Sequence, residues 1–548
     1  MKRAHEEAED GAPPAKVQRF SKPDRLSKLS EELLVRILSF IPVPSLLVCQ
    51  RISKKFHRLS VDSELWKAAY YRTFVLPRAS RIPGIRDPAT PNRLHYASRL
   101  SKWLQDGYLV KDGMQTNWKQ QYRLRHNWTQ GQCAVSEIVV AERPPDPPLL
   151  VIMSNSVVYA ADSMSGLRAW SSKREKELLA SIPLFGEEDT PRLPISMAVD
   201  ASERDNDGGE SVVVGFEDGS FSIFALDTNR HRFTNLFTHP PSTNGMLSAF
   251  AYASPYLLTM TEDHLLSLYA FDGLPKTSGT LEAPKLLYSL RSHTAWPPVS
   301  LSLRMTATSM TAAIAYSLPT YLSGWTVGVQ ELLLSHKGEL LESRLATAAD
   351  EHSFTLSAYR SEPTRSASPF PGPGATQEPA VASGPSRSQP TSMSYSHPYL
   401  LVAHPDNTLS LYLVRSTTSA LSISSGNRLW GHTSSISGAH VGMRGKAVSV
   451  SRLGDELRVW DLEGGMSSSV NRKRSRNGEL SVRVQPGRDG VGDKGEGEAG
   501  QVGLRFALEQ GFDDGAVSRG WVGFDEQNVI VLREKKEGRQ ALVVYDFS

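Results

Sequence analysis

The stretches whose residue types could do chemistry are few, and each fails on its context. Gly490-Val-Gly-Asp-Lys-Gly495 has the glycine spacing that cradles a pyrophosphate where a strand turns into a helix. Here it lies in a tract rich in glycine and acid with neither element beside it, so it is read as chance. The chain has no His-Glu-x-x-His zinc pattern, no Walker loop and no Gly-x-Ser-x-Gly elbow. Asp205-Asn-Asp207 sits in an acidic loop without the further oxygen ligands of a calcium loop. The two cysteines, Cys49 and Cys133, exclude a disulfide framework and a cysteine-rich metal site. No catalytic residue, metal ligand or cofactor is expected. One charged cluster, Arg472, Lys473, Arg474 and Arg476, is a candidate nuclear-localisation signal or local nucleic-acid contact, and reads equally well as a solvated charge run.

With no chemistry to position, the elements themselves must carry the function. The chain of 548 residues is too long for one small domain, and its formal net charge of +3 gives no global pull toward nucleic acid or a membrane. No apolar run is long enough to span a bilayer, and Met1 to Asp10 lacks the apolar core of a signal peptide. A reducing compartment, cytosolic or nuclear, is expected. Asn127-Trp-Thr129 matches a glycosylation sequon that needs a secretory route, so it is read as structural. Residues 1–24, charged and containing Pro13-Pro14, are expected to form a disordered tail.

Residues 25–75 carry short helices. Leu33, Leu34, Ile37, Leu38 and Ile41 form one apolar stripe at helical spacing; Ser30 stands at the N-cap, Glu31 and Glu32 fall in the first turn, and Pro42 forbids continuation. Leu46-Leu47 follow Pro44, with Ser45 as a capping residue, then Ile52 to Leu59, then Leu65-Trp66 behind an Asp62 cap. This core is small for independent stability, so part of its apolar surface is expected to be completed by another protein.

In order, spacing and its terminal Leu65-Trp66, the stretch resembles an F-box, the module that docks a substrate-recognition subunit onto the Skp adaptor of a Skp-cullin-F-box ubiquitin ligase. It departs in having Ser30 after Leu29, where the family has Leu-Pro, and Ser45 in place of an acidic residue. The resemblance implies adaptor contact through Leu29, Leu33, Leu34, Ile37, Leu38, Leu46, Leu47, Ile52 and Phe56, some of which must instead form the module's own core. An ordinary helical bundle packed on the next domain is the alternative.

Residues 76–131 form a helical linker, broken by prolines between Pro77 and Pro91 and resuming at Arg93–Leu104 and Trp118–Trp128. From 132 to 548 short Val/Ile/Leu/Phe/Tyr runs alternate with turn residues, which indicates an all-β region. Strand-turn-strand units recur at Leu149–Asp162, Val212–Asp227, Leu257–Asp272, Thr311–Val327, Leu400–Val414, Ala447–Asp461 and Gly520–Leu532. Their turn aspartates, Asp218 to Asp263 and Asp406 to Asp455, are spaced by roughly 45–50 residues, the period of a WD-repeat propeller. Gly431-His432 with Trp460-Asp461 is similar to the Gly-His and Trp-Asp signature of that family. By that likeness His432 holds its blade through buried hydrogen bonds, with Asp455 or a neighbour as partner.

The fold class expected is a small helical F-box and helical linker followed by a WD-repeat-like β-propeller of about seven blades, interrupted by disordered insertions at 361–395 and 467–500. Ring closure stays open: Cys133 to Val140 suits an N-terminal closing strand, yet Ala541–Phe547 reads as a final outer strand, and an eighth blade between 420 and 432 is an alternative. The resemblance implies a non-catalytic ligase subunit whose partners are the Skp adaptor, through it cullin, and an unknown protein substrate, without membrane or nucleic acid. Alternatives are an interaction scaffold without a ligase role and a nuclear, nucleic-acid-associated propeller protein.

Overall fold

The computed structural model describes residues 26, 28–75, 116–154, 156–172, 177–185, 191–201, 210–271, 281–292, 296–320, 324–348, 388–417, 420–442, 445–452, 456–462, 481–486, 521–534 and 538–548. The expected tail at 1–24, the helix at Arg93–Leu104 and the clusters at Asp205–Asp207, Arg472–Arg476 and Gly490–Gly495 lie outside them. The chain divides into two compact units, residues 1–125 and 126–548.

The first unit contains α1 (Glu31–Leu38), α2 (Val43–Cys49), α3 (Lys54–Ser60) and α4 (Ser63–Tyr70), the last continuing into a π-helical turn at Tyr71–Val75. Ser30 holds the extended N-cap backbone of α1, and Ser39 caps it three residues before Pro42. The α2 helix starts from Pro42 with Pro44 in its first turn, so Ser45 lies inside the helix rather than capping it. Ser53 and Asp62 cap α3 and α4 by accepting the Phe56 and Glu64 backbone N–H groups at 3.3 and 2.9 Å. A fifth helix, α5 (Trp118–Gln130), spans the division, and its residues up to Arg125 belong to this unit.

The second unit is a seven-blade propeller. β1 (Gln132–Ala141) precedes six four-stranded blades in chain order. The first is β2–β5 (Leu150–Ser154, Val157–Asp162, Gly166–Ser171, Leu178–Ile182), and the second β6–β9 (Pro194–Val199, Ser211–Phe216, Phe221–Asp227, Arg232–His239). The third is β10–β13 (Leu247–Ala253, Tyr256–Thr261, Leu265–Ala270, Lys285–Arg291), and the fourth β14–β17 (Trp296–Met305, Ser309–Pro319, Trp325–Ser335, Leu340–Thr347). The fifth has β18 (Ser392–Ser396), β19 (Tyr399–Ala403) and β20 (Leu409–Ser416), with its outer strand split into β21 (Leu421–Ile423) and β22 (Asn427–Leu429), both paired to β20. That pairing absorbs the stretch 420–432, where an extra blade was an alternative. The sixth is β23–β26 (Ile436–Val441, Lys446–Ser451, Leu457–Asp461, Ser481–Arg483).

The seventh blade joins both ends of the unit. β27 (Gln485–Pro486), β28 (Val522–Phe524), β29 (Asn528–Glu534) and β30 (Gln540–Asp546) form one sheet with β1 in the order β27-β1-β30-β29-β28. β1 pairs antiparallel with β30 from Ala134↔Asp546 to Ala141↔Gln540. Ala541–Phe547 is therefore the third strand, and β1 is the strand that closes the ring. The innermost strands β2, β6, β10, β14, β18, β23 and β28 contact one another in turn around the axis.

This order corrects the register of two sequence repeats. Val212–Asp227 and its kin are the second and third strands of a blade, whereas Leu149–Asp162 and Gly520–Leu532 are first and second strands. Both kinds of hairpin are apolar runs about a polar turn, so local pattern does not distinguish them. Burial does: β7 and β11 are buried at every residue, because second strands are sandwiched by blades on both faces, while the inner strand β6 alternates and the outer β17 is largely open. Strands also occupy ends of the two expected insertions, β18 inside 361–395 and β26–β27 inside 467–500. Their serine-rich or short sequences resemble loop, and only pairing with Tyr399–Ala403, β25 and β1 reveals them.

Candidate functional site

The helical unit has one core and two apolar sets left outside it. Leu34, Leu38, Leu46, Leu59, Leu65, Trp66, Tyr70 and Val75 are buried together, with Leu29, Ile41 and Phe56 packed at the margin. Trp66 donates its indole N–H to the Ser60 carbonyl at 2.8 Å. The first turns of α5 complete this core: Trp118 is buried against Tyr70, Tyr122 meets the Trp66 edge at 5.5 Å, and Lys119 donates to Gln50 Oε1 at 2.9 Å. Part of the closure expected from another protein thus comes from this chain.

What stays uncovered is specific. On α1 the stripe read from the sequence splits into two rows: Leu34 and Leu38 point inward at 1% and 2% exposure, while Leu33 and Ile37 remain 55% and 42% exposed. Phe40 extends the outer row at helical spacing, under the Arg36 guanidinium at 4.9 Å. On α2 Leu46 is buried, whereas Leu47, Val48 and, in the following turn, Ile52 are exposed. Of the nine residues expected to contact an adaptor, Leu33, Ile37, Leu47 and Ile52 are thus presented to solvent; Leu34, Leu38 and Leu46 are core; Leu29 and Phe56 sit at its edge. Phe40 and Val48 were missed, although Phe40 stands seven residues after Leu33 on the same row. Two exposed apolar rows on so small a unit are a surface built to be covered.

In the propeller the side chains that look reactive are spent on holding blades. In the sixth blade Trp460 Nε1–H donates to Ser449 Oγ at 2.7 Å, which leaves the serine hydroxyl to donate to His432 Nε2 at 2.6 Å. That puts the ring proton on Nδ1, facing Glu456 Oε2 at 3.5 Å. The acidic partner of His432 is therefore Glu456, the neighbour of Asp455, which lies outside the described residues. Burial by itself would raise the Glu456 carboxyl, but the Thr433 N–H and hydroxyl and Arg458 outweigh it and bring it down to about 2. In the fifth blade His404 donates to or accepts from Ser410 at 2.8 Å, and burial pushes it down to about 4.

The turns between second and third strands repeat one device. Asp218 and Asp406 accept the backbone N–H and the hydroxyl of Ser220 and Thr408, and the residue between them, Gly219 or Asn407, takes positive φ. Arg168, Arg192, Arg428 and Arg458 each pair with a turn carboxylate, of Asp162, Asp218, Asp406 and Glu456. These arginines are committed within their blades. Among the described residues no group of histidine, cysteine and acid side chains could hold a metal ion, and no helix is long and apolar enough to cross a membrane.

The sequon reads as structural. Asn127 donates to the Phe547 carbonyl and Trp128 Nε1–H to the Glu526 carbonyl, both at 2.9 Å. Trp128 stacks on Phe547 at 4.2 Å with Lys446 Nζ 4.4 Å from its ring centre.

Comparison with known proteins bears on both units. Residues 133–548 match the family described as F-box protein pof12 beta-propeller, and residues 28–72 match the family described as F-box-like. F-box protein dre-1 of Caenorhabditis elegans is 30% identical over 112 residues, a match spanning 20% of this chain and only 10% of that protein's length. Among solved structures, Sqt1 of Saccharomyces cerevisiae aligns at TM-score 0.40 and 10% identity, covering 76% of this chain and 98% of its own. The RRP9 WD40 repeats align at TM-score 0.34 and 10% identity, covering 75% and 99%. With the first family matched over most of its length, this chain belongs to the F-box proteins that carry the pof12-type β-propeller.

Proposed function

We propose that this protein is the substrate-recognition subunit of a Skp-cullin-F-box ubiquitin ligase, working in the cytoplasm or nucleus. The helical unit docks a Skp-type adaptor through Leu33, Ile37, Phe40, Leu47, Val48 and Ile52, and through the adaptor reaches cullin. The propeller holds a protein substrate. The chain itself breaks no bond; it raises the local concentration of substrate lysines beside the ubiquitin-charged enzyme. The observation that supports this most is the splitting of the α1 stripe: a unit folding only for itself would bury both rows, yet Leu33 and Ile37 remain exposed beside a filled core.

Affinity purification of the tagged full chain, with and without proteasome inhibition, tests the reading. The expected result is adaptor and cullin in both samples and further proteins enriched only under inhibition. A purification containing propeller-bound proteins but neither adaptor nor cullin would instead identify an interaction scaffold.

A further inference from the structure

The propeller carries an aromatic site that the blades do not consume. Trp296, first residue of β14, is 50% exposed, and Trp325, first residue of β16, is half-buried. Their rings meet edge to face with centroids 6.4 Å apart. Register places them at one end of the fourth blade, with Trp296 opposite Ser317 and Trp325 opposite Pro319. Two indoles set edge to face at the mouth of a blade, flanked by Pro297 and Pro319, make the kind of ridged apolar surface on which proline rings pack.

The chain leaves and returns at this pair. Ala348, the last described residue before the long insertion, donates its N–H to the Val327 carbonyl at 2.9 Å and accepts from Thr326 Oγ1 at 3.0 Å, both beside Trp325. On the return, Gln389 Nε2 donates to the carbonyl of Pro297, the neighbour of Trp296, at 2.8 Å. Between these anchors runs Ser368-Pro-Phe-Pro-Gly-Pro-Gly374. Its prolines lie about twenty residues from either anchor, and a coil of that length reaches about 25 Å, ample to fold back onto the tryptophans.

We propose that Pro369-Phe370-Pro371-Gly372-Pro373 docks in cis on the Trp296–Trp325 pair. An extended proline segment has little conformational entropy to lose and no internal hydrogen bonds to break, so aromatic faces recognise it readily. Tethering gives it an effective concentration in the millimolar range, which any other proline-containing peptide must overcome to reach the same face. The inference is independent of adaptor binding and goes beyond the ligase role: it assigns this end of the blade a ligand class.

Two measurements on the full-length chain test it. With p-benzoylphenylalanine at position 370, irradiation of dilute protein is expected to give an intramolecular crosslink to peptides containing Trp296 or Trp325, reduced at least tenfold in Trp296→Ala/Trp325→Ala. Crosslinks elsewhere in the chain, or between two chains, would overturn the proposal. In the second, a fluorescent peptide of residues 365–377 is titrated against the wild-type chain and against Pro369→Ala/Pro371→Ala/Pro373→Ala. Binding at least tenfold tighter to the triple variant is expected, since the in-cis competitor is gone; equal affinity for both chains would refute in-cis occupancy. This arm leaves the tryptophans and the described propeller untouched, so a folding defect cannot imitate its result.

Discussion

Exchanging the two rows of α1 for alanine, one row at a time, is expected to separate binding from folding. Leu33 and Ile37 keep about half of their surface in water. If full burial of such a side chain is worth about 1.5–3 kcal/mol, covering the remaining half contributes about 1 kcal/mol each, so Leu33→Ala/Ile37→Ala weakens adaptor binding by about 2 kcal/mol, roughly 30-fold in Kd. The fold of the unit changes by less than about 1 kcal/mol, because neither residue belongs to its core. Leu34 and Leu38, at 1% and 2% exposure, behave oppositely: each truncation leaves a cavity costing about 2–5 kcal/mol, and the pair exhausts the stability of so small a core. Aspartate at 33 and 37 abolishes docking outright, since an unpaired carboxylate would be buried at the interface. Titration calorimetry with purified Skp-type adaptor reads the affinity, and amide hydrogen exchange across α1–α4 reads the fold. The reasoning is refuted if Leu33→Ala/Ile37→Ala unfolds the helices, or leaves them folded with adaptor affinity unchanged.

Other outcomes follow from the propeller. Trp128→Ala removes the Phe547 stack, the Lys446 contact and the bond to Glu526, and is expected to cost about 3–5 kcal/mol, seen as a lower propeller melting temperature with exchange rising first in β1 and β30. Ser449→Ala strands the buried Trp460 N–H and His432 ring nitrogen, costing about 2–4 kcal/mol by chemical denaturation, whereas Ser451→Ala, which does not touch either ring, costs less. His404, held down at about 4, is neutral when folded and takes up a proton more readily when unfolded. Its contribution is therefore intact above about pH 6.5 and lost as pH falls toward 4, so His404→Gln flattens the stability profile across that window. Glu456, also depressed, acts lower: its stabilisation is lost only as pH falls from about 4.5 toward 2, and Glu456→Gln removes that second acid limb.

The two-unit architecture was legible because it rests on signals that survive in single residues: helix stops at Pro42, caps at Ser53 and Asp62, and turn aspartates recurring at the propeller period. What escaped the sequence depends on contacts across long separations. Which row of α1 faces inward cannot be read where Leu33-Leu34 and Ile37-Leu38 are both apolar; packing against Trp66 and Trp118 decides it. The closing strand was ambiguous because Cys133–Val140 and Ala541–Phe547 lie at opposite ends of the propeller and each looks like an outer strand alone. Only their pairing ranks them. The polar partner of His432 was displaced by one residue, since the acid that reaches the ring is set by how the turn before β25 places Glu456. Phe40 and Val48, the missed members of the exposed rows, follow the helix spacing but fall next to turns, where periodicity is a weak guide.

The bridge itself is tested most directly by mixing purified full-length chain with purified Skp-type adaptor and cullin and measuring the masses that co-elute. The account predicts one stable assembly containing all three, formed at micromolar concentration and dissolved by Leu33→Asp/Ile37→Asp. A full-length chain that elutes alone, with its helices folded and both partners present in excess, would contradict it.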